Sequence, residues 1–206
     1  MDLPVFALHT VLFPGQRMAL RVFEERYLLM MEDVLPAGPF VVVAIRKGQE
    51  VGGPYEANRV GVTVDVEDYE FEADGTYRLR IVGRDRVALI AASRSEPYPA
   101  WEVEPFPDEG GAGTDDVEAA FEALLGYLRA SGEEDVRPSF RREPVSASFT
   151  LAAATPGLLP QRQALLEVPG AGERLRIVRE TFRREAALLR ALGAGVGGTD
   201  LDVNPN

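Results

Sequence analysis

The sequence contains no cysteine, one histidine (His9) and one lysine (Lys47). The missing cysteine removes thiolate nucleophiles, zinc–thiolate sites and disulfides together. A single imidazole can build neither a histidine-based metal cluster nor a convincing catalytic triad. Lys47 lies in Arg46-Lys47-Gly48-Gln49. That order lacks the Gly-Lys-Ser/Thr step by which a lysine opening a helix reaches phosphates. No apolar run approaches the roughly 20 residues of a membrane span. The N-terminus, interrupted by Asp2, Pro4 and His9, lacks the charged start and long apolar stretch of a signal peptide. Positive charge is also short: the net charge is −11, divided as −5 up to Val103 and −6 beyond it. Neither half is a basic footprint, so phosphate-driven nucleic-acid binding is disfavoured. Carboxylates are abundant, but most fall on expected turns or solvated faces and no pair is singled out for acid–base work. The expectation is a cytoplasmic, non-catalytic protein with no cofactor, no metal and no membrane contact.

What is present reads as two halves. The chain has 206 residues, 46% of them hydrophobic, enough for one large or two small cores. From Leu3 to Val103 short alternating runs are bounded by Gly, Pro and Asp, a strand signature. Phe40–Ile45 is a continuous apolar run, expected as a strand buried on both faces. Val60, Val62, Val64 and Val66 alternate with Gly61, Thr63 and Asp65, a half-buried strand. Further strands are expected around Arg78–Arg84, Val87–Ala92 and Trp101–Val103. One helix, Glu24 to Leu35, carries Tyr27, Met30, Met31 and Val34 at helical spacing and stops at Pro36 and Gly38. Residues 104–113, EPFPDEGGAG, hold Pro, Gly and acid with little to bury and read as a linker. From Thr114 the period becomes helical, with Val117, Phe121, Leu124, Leu125 and Leu128 on one stripe. Helices are expected near Val145–Ala154, Pro160–Glu167 and Gly172–Leu192, the last turning Leu175, Val178, Phe182, Leu189 and Leu192 inward. Residues 193–206 read as a tail. The expected organisation is therefore a strand subdomain at 1–103, a linker at 104–113 and a helical subdomain at 114–192, an α+β class with its halves separate in space.

The opening segment carries a more specific signal. Leu3-Pro4, then Leu12-Phe13-Pro14-Gly15, then Phe23-Glu24-Glu25-Arg26-Tyr27 at these spacings resemble the start of the Lon protease N-terminal domain. Val51-Gly52 and Val60-Gly61-Val62 stand where that family places its next strands. Ser148-Phe149-Thr150 through Leu158-Leu159-Pro160, and Gln163–Glu167 followed by Glu173-Arg174-Leu175, resemble its helix junctions. The similarity spans roughly residues 3–192 and is loosest between Pro97 and Val117. It implies a PUA-like pseudo-barrel with one inserted helix, followed by a helical bundle. It further implies a non-catalytic substrate-recognition module for unfolded or exposed hydrophobic protein segments, linked to protein quality control and working with Lon or another protease. A full Lon continues into ATPase and protease domains, so a chain of this length resembles that domain standing alone.

Phe13, Pro14, Phe23, Arg26 and Tyr27 are the peptide-binding candidates under this resemblance. Aromatics would anchor a segment and Arg26 would supply the charged contact. Each also has a structural reading. Pro14-Gly15 makes a tight turn, and Phe23 and Tyr27, one helical turn apart, fix the helix onto the barrel. The alternative function is RNA binding of the PUA-like kind. It needs a local basic patch, for which Arg84, Arg86 and Arg94 are the candidates in the first half. The acidic run Asp65–Asp74 can attract basic partners or form the outer face of a hairpin. Side-chain pairing favours the hairpin: a loop of Ala73-Asp74-Gly75 sets Phe71 opposite Tyr77, Glu70 opposite Arg78, Tyr69 opposite Leu79 and Asp68 opposite Arg80. Trp101 and Phe106 flank the linker as a partner surface or an interdomain wedge.

Overall fold

The computed structural model describes residues 1–133 and 140–196. Seven strands, β1 (Asp2–Leu8), β2 (Arg17–Val22), β3 (Phe40–Gly48), β4 (Tyr55–Ala57), β5 (Val60–Phe71), β6 (Tyr77–Arg94) and β7 (Ala100–Pro105), come before four of the five helices. Helix α1 (Glu25–Ala37) interrupts them, and α2 (Thr114–Ser131), α3 (Pro144–Ala153), α4 (Leu159–Glu167) and α5 (Ala171–Val196) follow.

Backbone pairing runs β1–β7–β6–β5–β3 and returns through a parallel β3–β1 pair, Val5 opposite Val41, so five strands close a ring. Closure explains why β3 is apolar on both faces. Leu3, Val5, Ala7, Val41, Val43, Ile45, Val87, Leu89 and Val103 form a cluster built from strand residues alone, as the inside of a closed ring must be. The alternate residues, among them Phe6, Phe40, Val42, Val60, Val62 and Val64, join a second cluster shared with the helices. Residues Val60 to Val64 are consequently all buried, where alternation alone predicts a half-buried strand. Gly61 faces the interior so tightly that a Cβ there would lie 2.7 Å from Val41 Cγ1. The two strands expected on either side of Asp85 are one, β6, which bends round the ring through register shifts against β5 and β7.

The two halves share one core. Phe13, Phe40, Met30, Leu124, Leu166 and Phe182 belong to a single contiguous cluster, against the expectation of halves separate in space. Polar contacts reinforce the join. Arg86 of β6, 4% exposed, donates to the carbonyls of Leu166 at 2.7 Å and Val168 at 2.6 Å. Arg174 of α5, fully buried, donates to Asp108 Oδ2 at 2.7 Å, to Ser148 Oγ at 2.6 Å and to the Val168 carbonyl at 2.7 Å. Phe149 lies against both guanidiniums. Burial pulls Arg86 down to about 10, and the nearby Arg174 charge adds to that, which still leaves it cationic at neutral pH.

Segment 104–113 is the centre of this clasp. Asp108 Oδ1 accepts from the amides of Gly110 at 2.8 Å and Ala171 at 3.0 Å. Gly172 sits so close that a Cβ would be 2.1 Å from the Gly111 carbonyl. The segment has little apolar surface to read, because beyond Phe106 and Ala112, which pack on the core, what holds it is backbone and one carboxylate. At the far end of the chain α5 continues through Val196, past the expected boundary at 192, and residues 197–206 of the expected tail lie outside the described residues. Leu192 is 70% exposed rather than turned inward.

Candidate functional site

The β5–β6 hairpin projects from the ring with the register that side-chain pairing favours. Phe71 is opposite Tyr77, Glu70 opposite Arg78, Tyr69 opposite Leu79 and Asp68 opposite Arg80. The amide of Gly75, at φ +83°, donates to the Glu72 carbonyl at 2.9 Å and closes the turn. Strand β2 adds to the other edge of β6, placing Val22 opposite Tyr77, Leu20 opposite Leu79 and Met18 opposite Ile81.

The two faces of this three-stranded sheet are chemically opposite. On the outer face Arg17 pairs with Glu67 at 2.8 Å, Arg21 with Asp74 at 2.6 Å, Arg84 with Asp65 at 2.6 Å, and Arg80 with Asp68. Hydrogen bonds from Arg17 hold the Glu67 carboxyl below its usual range, and those from Thr76 do the same for Asp74. The acidic run is thus a charge-compensated surface.

The inner face continues the core. Leu20, Val22, Leu79 and Ile81 are buried in the shared cluster. On the β5 side of the same cross-strand rows, the cover stops. Tyr69 is 53% and Phe71 61% exposed, with the Phe71 and Tyr77 rings 4.8 Å apart and those of Tyr69 and Tyr77 6.4 Å apart. At the root of this aromatic shelf, Val64 and Val66 of β5 and Val34 and Leu35 of α1 line a groove of about 370 Å³. Val66, Tyr69 and Phe71 all face inward across the register shift after Val66, so the shelf runs on from this groove, which Gly38, Pro39 and Asp65 also line.

The five candidates from the sequence do not converge. Phe13 and Tyr27 are interior, at 0% and 1% exposure. Tyr27 stacks on Phe6 at 4.0 Å, and its hydroxyl accepts from the Ala7 amide at 3.3 Å, fixing α1 to β1. Burial raises its pKa well above the ordinary tyrosine value. Pro14 borders a separate cavity of about 440 Å³ beside the clasp. Phe23 is exposed, and Arg26 pairs with Glu24 at 2.9 Å over the Tyr27 ring. The shelf residues Tyr69, Phe71 and Tyr77 carry no motif; their signal is the hairpin register, which puts three aromatic rings on one face.

The basic candidates also part company. Arg84 is paired and Arg86 is buried. Arg94 instead joins Arg46, Arg59 and Arg26 around Tyr55 and Trp101 in a cleft of about 560 Å³. Among the described residues no group of three or more His, Asp or Glu side chains is placed to hold a metal ion, and no helix is long and apolar enough to cross a membrane.

Comparison with known proteins places these features in a family. The model of the ATP-dependent protease La (LON) substrate-binding domain matches residues 2–184. Lon protease 1 of Bdellovibrio bacteriovorus is 26% identical over 181 residues, 81% of this chain and 22% of that protein. Lon protease 2 of Herpetosiphon aurantiacus is 28% identical over 199 residues, 92% of this chain and 24% of that protein. The chain therefore spans about a quarter of the length of these curated relatives. Among solved structures, a Lon N-terminal domain protein from Xanthomonas campestris superposes with a TM-score of 0.64 at 27% identity, over 86% of this chain and 96% of that one. The N-terminal domain of the Mycobacterium avium complex Lon protease gives 0.64 at 18% identity, over 88% and 98%, and supports the fold. With nearly the whole described chain matched by one family model, this protein belongs to the Lon substrate-binding domain family.

Proposed function

We propose that this chain is a non-catalytic recognition module that binds exposed apolar segments of unfolded proteins, and that the shelf of Tyr69, Phe71 and Tyr77 is its principal contact surface. The observation that carries the reading is the uncovered continuation of a core face: the Tyr69 and Phe71 rings, packed against Tyr77, stand exposed to water. Aromatic side chains give large contact area for little lost rotamer freedom, which suits weak recognition of varied sequences. The closed strand ring with α1 inserted is consistent with a PUA-like barrel as the rigid platform. Phe23 is the sequence candidate that can join this surface, since it directly follows Val22, which pairs with Tyr77. Family membership supports delivery of bound segments to Lon or a similar protease in the cytoplasm, as part of protein quality control.

The test is anisotropy of fluorescein-labelled β-casein titrated with the purified chain. The Tyr69→Ser/Phe71→Ser double variant should weaken binding about tenfold or more, a loss of roughly 1.4 kcal/mol, with an unchanged urea midpoint. Binding equal to that of the wild type would remove the shelf from the site.

A further inference from the structure

The arginine cleft lies over one end of the strand ring. Its floor residues, Tyr55 and Trp101, pack against the interior cluster of the ring, and the strand and loop termini around it bring four arginines together. This is unusual in a chain of net charge −11, where the arginines of β2 and the β5–β6 hairpin are each matched to a carboxylate. Within the cleft only two are matched: Arg46 with Glu56 at 2.6 Å, and Arg26 with Glu24 at 2.9 Å. Glu56 is the one acidic residue in the lining. Among the described residues neither Arg59 nor Arg94 has a carboxylate within ion-pair distance. The nearest link is the Tyr98 hydroxyl beneath Arg94, which donates to Asp33 Oδ2 at 2.5 Å, so the cleft keeps two guanidiniums without a direct counter-ion.

Those two guanidiniums are held in place rather than loose. Arg59 stacks over Trp101 at 5.4 Å while its Nη1 donates to the carbonyls of Leu89 at 3.3 Å and Ile90 at 3.2 Å. Arg94 stacks over Tyr98 at 4.2 Å. Stacking engages the flat face of a guanidinium and leaves edge N–H groups to fork onto a carboxylate.

We propose that this cleft is a second binding site, for a short acidic peptide segment: Arg59 and Arg94 take its carboxylate, and Trp101 and Tyr55 take an adjoining apolar side chain. A nucleic-acid strand fits less well. A polyphosphate chain gains its affinity from many phosphate contacts, and here only two arginines are free, in a chain of net charge −11. A segment with one or two carboxylates matches the charge count. The site is separate from the aromatic shelf and does not rest on it.

Trp101 is the only tryptophan in the chain, so its fluorescence reports on this cleft specifically. The probes are the blocked peptide Glu-Phe-Glu, its Gln-Phe-Gln counterpart and an eight-nucleotide oligothymidylate, each titrated into the full chain at low salt. The acidic peptide should shift the emission saturably and the Gln peptide should not. Arg59→Gln/Arg94→Gln, and Arg94→Gln alone as a milder change, should weaken binding about tenfold or more for the pair without moving the urea midpoint. The Tyr69→Ser/Phe71→Ser variant should bind the acidic peptide normally, which separates failure here from failure of the shelf. No saturable shift, equal response to the Gln peptide, or no effect of the arginine changes would overturn the site. Tighter binding of the oligothymidylate would overturn it too and reassign the cleft to nucleic acid.

Discussion

The two ends of the β5–β6 ladder are built from the same alternating pattern and have opposite fates. At the ring end, β5 is buried on both faces, and β6 is locked beneath the helices by Arg86, Asp108 and Arg174. At the hairpin end the same inward-facing row passes from Leu79, fully buried, to Phe71, 61% exposed. Nothing in the local chemistry of these side chains differs enough to decide this. What differs is cover: in the same cross-strand rows Leu20 and Val22 on β2 are buried in the core shared with the helices, while Tyr69 and Phe71 on the β5 edge are left open. An apolar row becomes core where something packs on it and stays open to water where it runs on without a partner.

The sharpest way to break the contrast is at the clasp. Asp108→Ala leaves two buried guanidiniums without their carboxylate, and breaking a buried pair costs about 3–5 kcal/mol. Urea unfolding should show a loss of that order, whereas a loss below about 1 kcal/mol would mean that the carbonyl contacts suffice. Within the ladder itself, Leu79→Ala should destabilise by about 2–5 kcal/mol, as for a large-to-small change in a packed core. Phe71→Ala, in the next cross-strand pair on the same face, should stay within about 0.5 kcal/mol of the wild type. Similar losses at both positions would show that the hairpin tip is covered after all.

A smaller effect concerns Tyr27, which ties α1 to the ring. Burial raises its folded pKa above the unfolded value of about 10, so its contribution is complete below that pH and is lost as pH rises through the folded value. Arg86 acts in the opposite sense above about pH 10, where the cost of burying its charge begins to be relieved. Comparing the wild type with Tyr27→Phe isolates the tyrosine. From pH 10 to 11 the wild type should lose up to about 1.4 kcal/mol more than the variant, measured by urea midpoints. Parallel losses would place the Tyr27 hydroxyl in contact with water.

Much of this architecture is legible from residues alone. The apolar run Phe40–Ile45, the helical stripes from Thr114 onward and the hairpin register all follow from periodicity and cross-strand pairing, and the structure has them. Ring closure is not local information: Gly61 and Thr63 look like the polar side of a half-buried strand until β1 and β3 meet around them. The clasp is silent for a different reason, since apart from Ala112 the run Pro107–Gly113 contributes backbone groups and one aspartate rather than apolar surface. The opening motif is specific enough to indicate the family, while Phe13 and Tyr27 within it serve the core. The aromatic shelf is present in the expected register, but whether Tyr69 and Phe71 are covered depends on where α1 ends in space. The arginine cleft joins residues from Arg26 to Trp101, and no spacing along the chain foretells it.

The central claim is that the uncovered end of the ladder, and not exposed apolar surface in general, is what binds unfolded protein. A photo-crosslinking residue placed at Phe71 tests it against the same residue at Leu158, which precedes α4 and is even more exposed, 74% against 61%. Illumination with labelled β-casein should give a crosslinked product from position 71, diminished by unlabelled casein, and little from position 158. Equal crosslinking from both positions, or none from 71, would contradict the account.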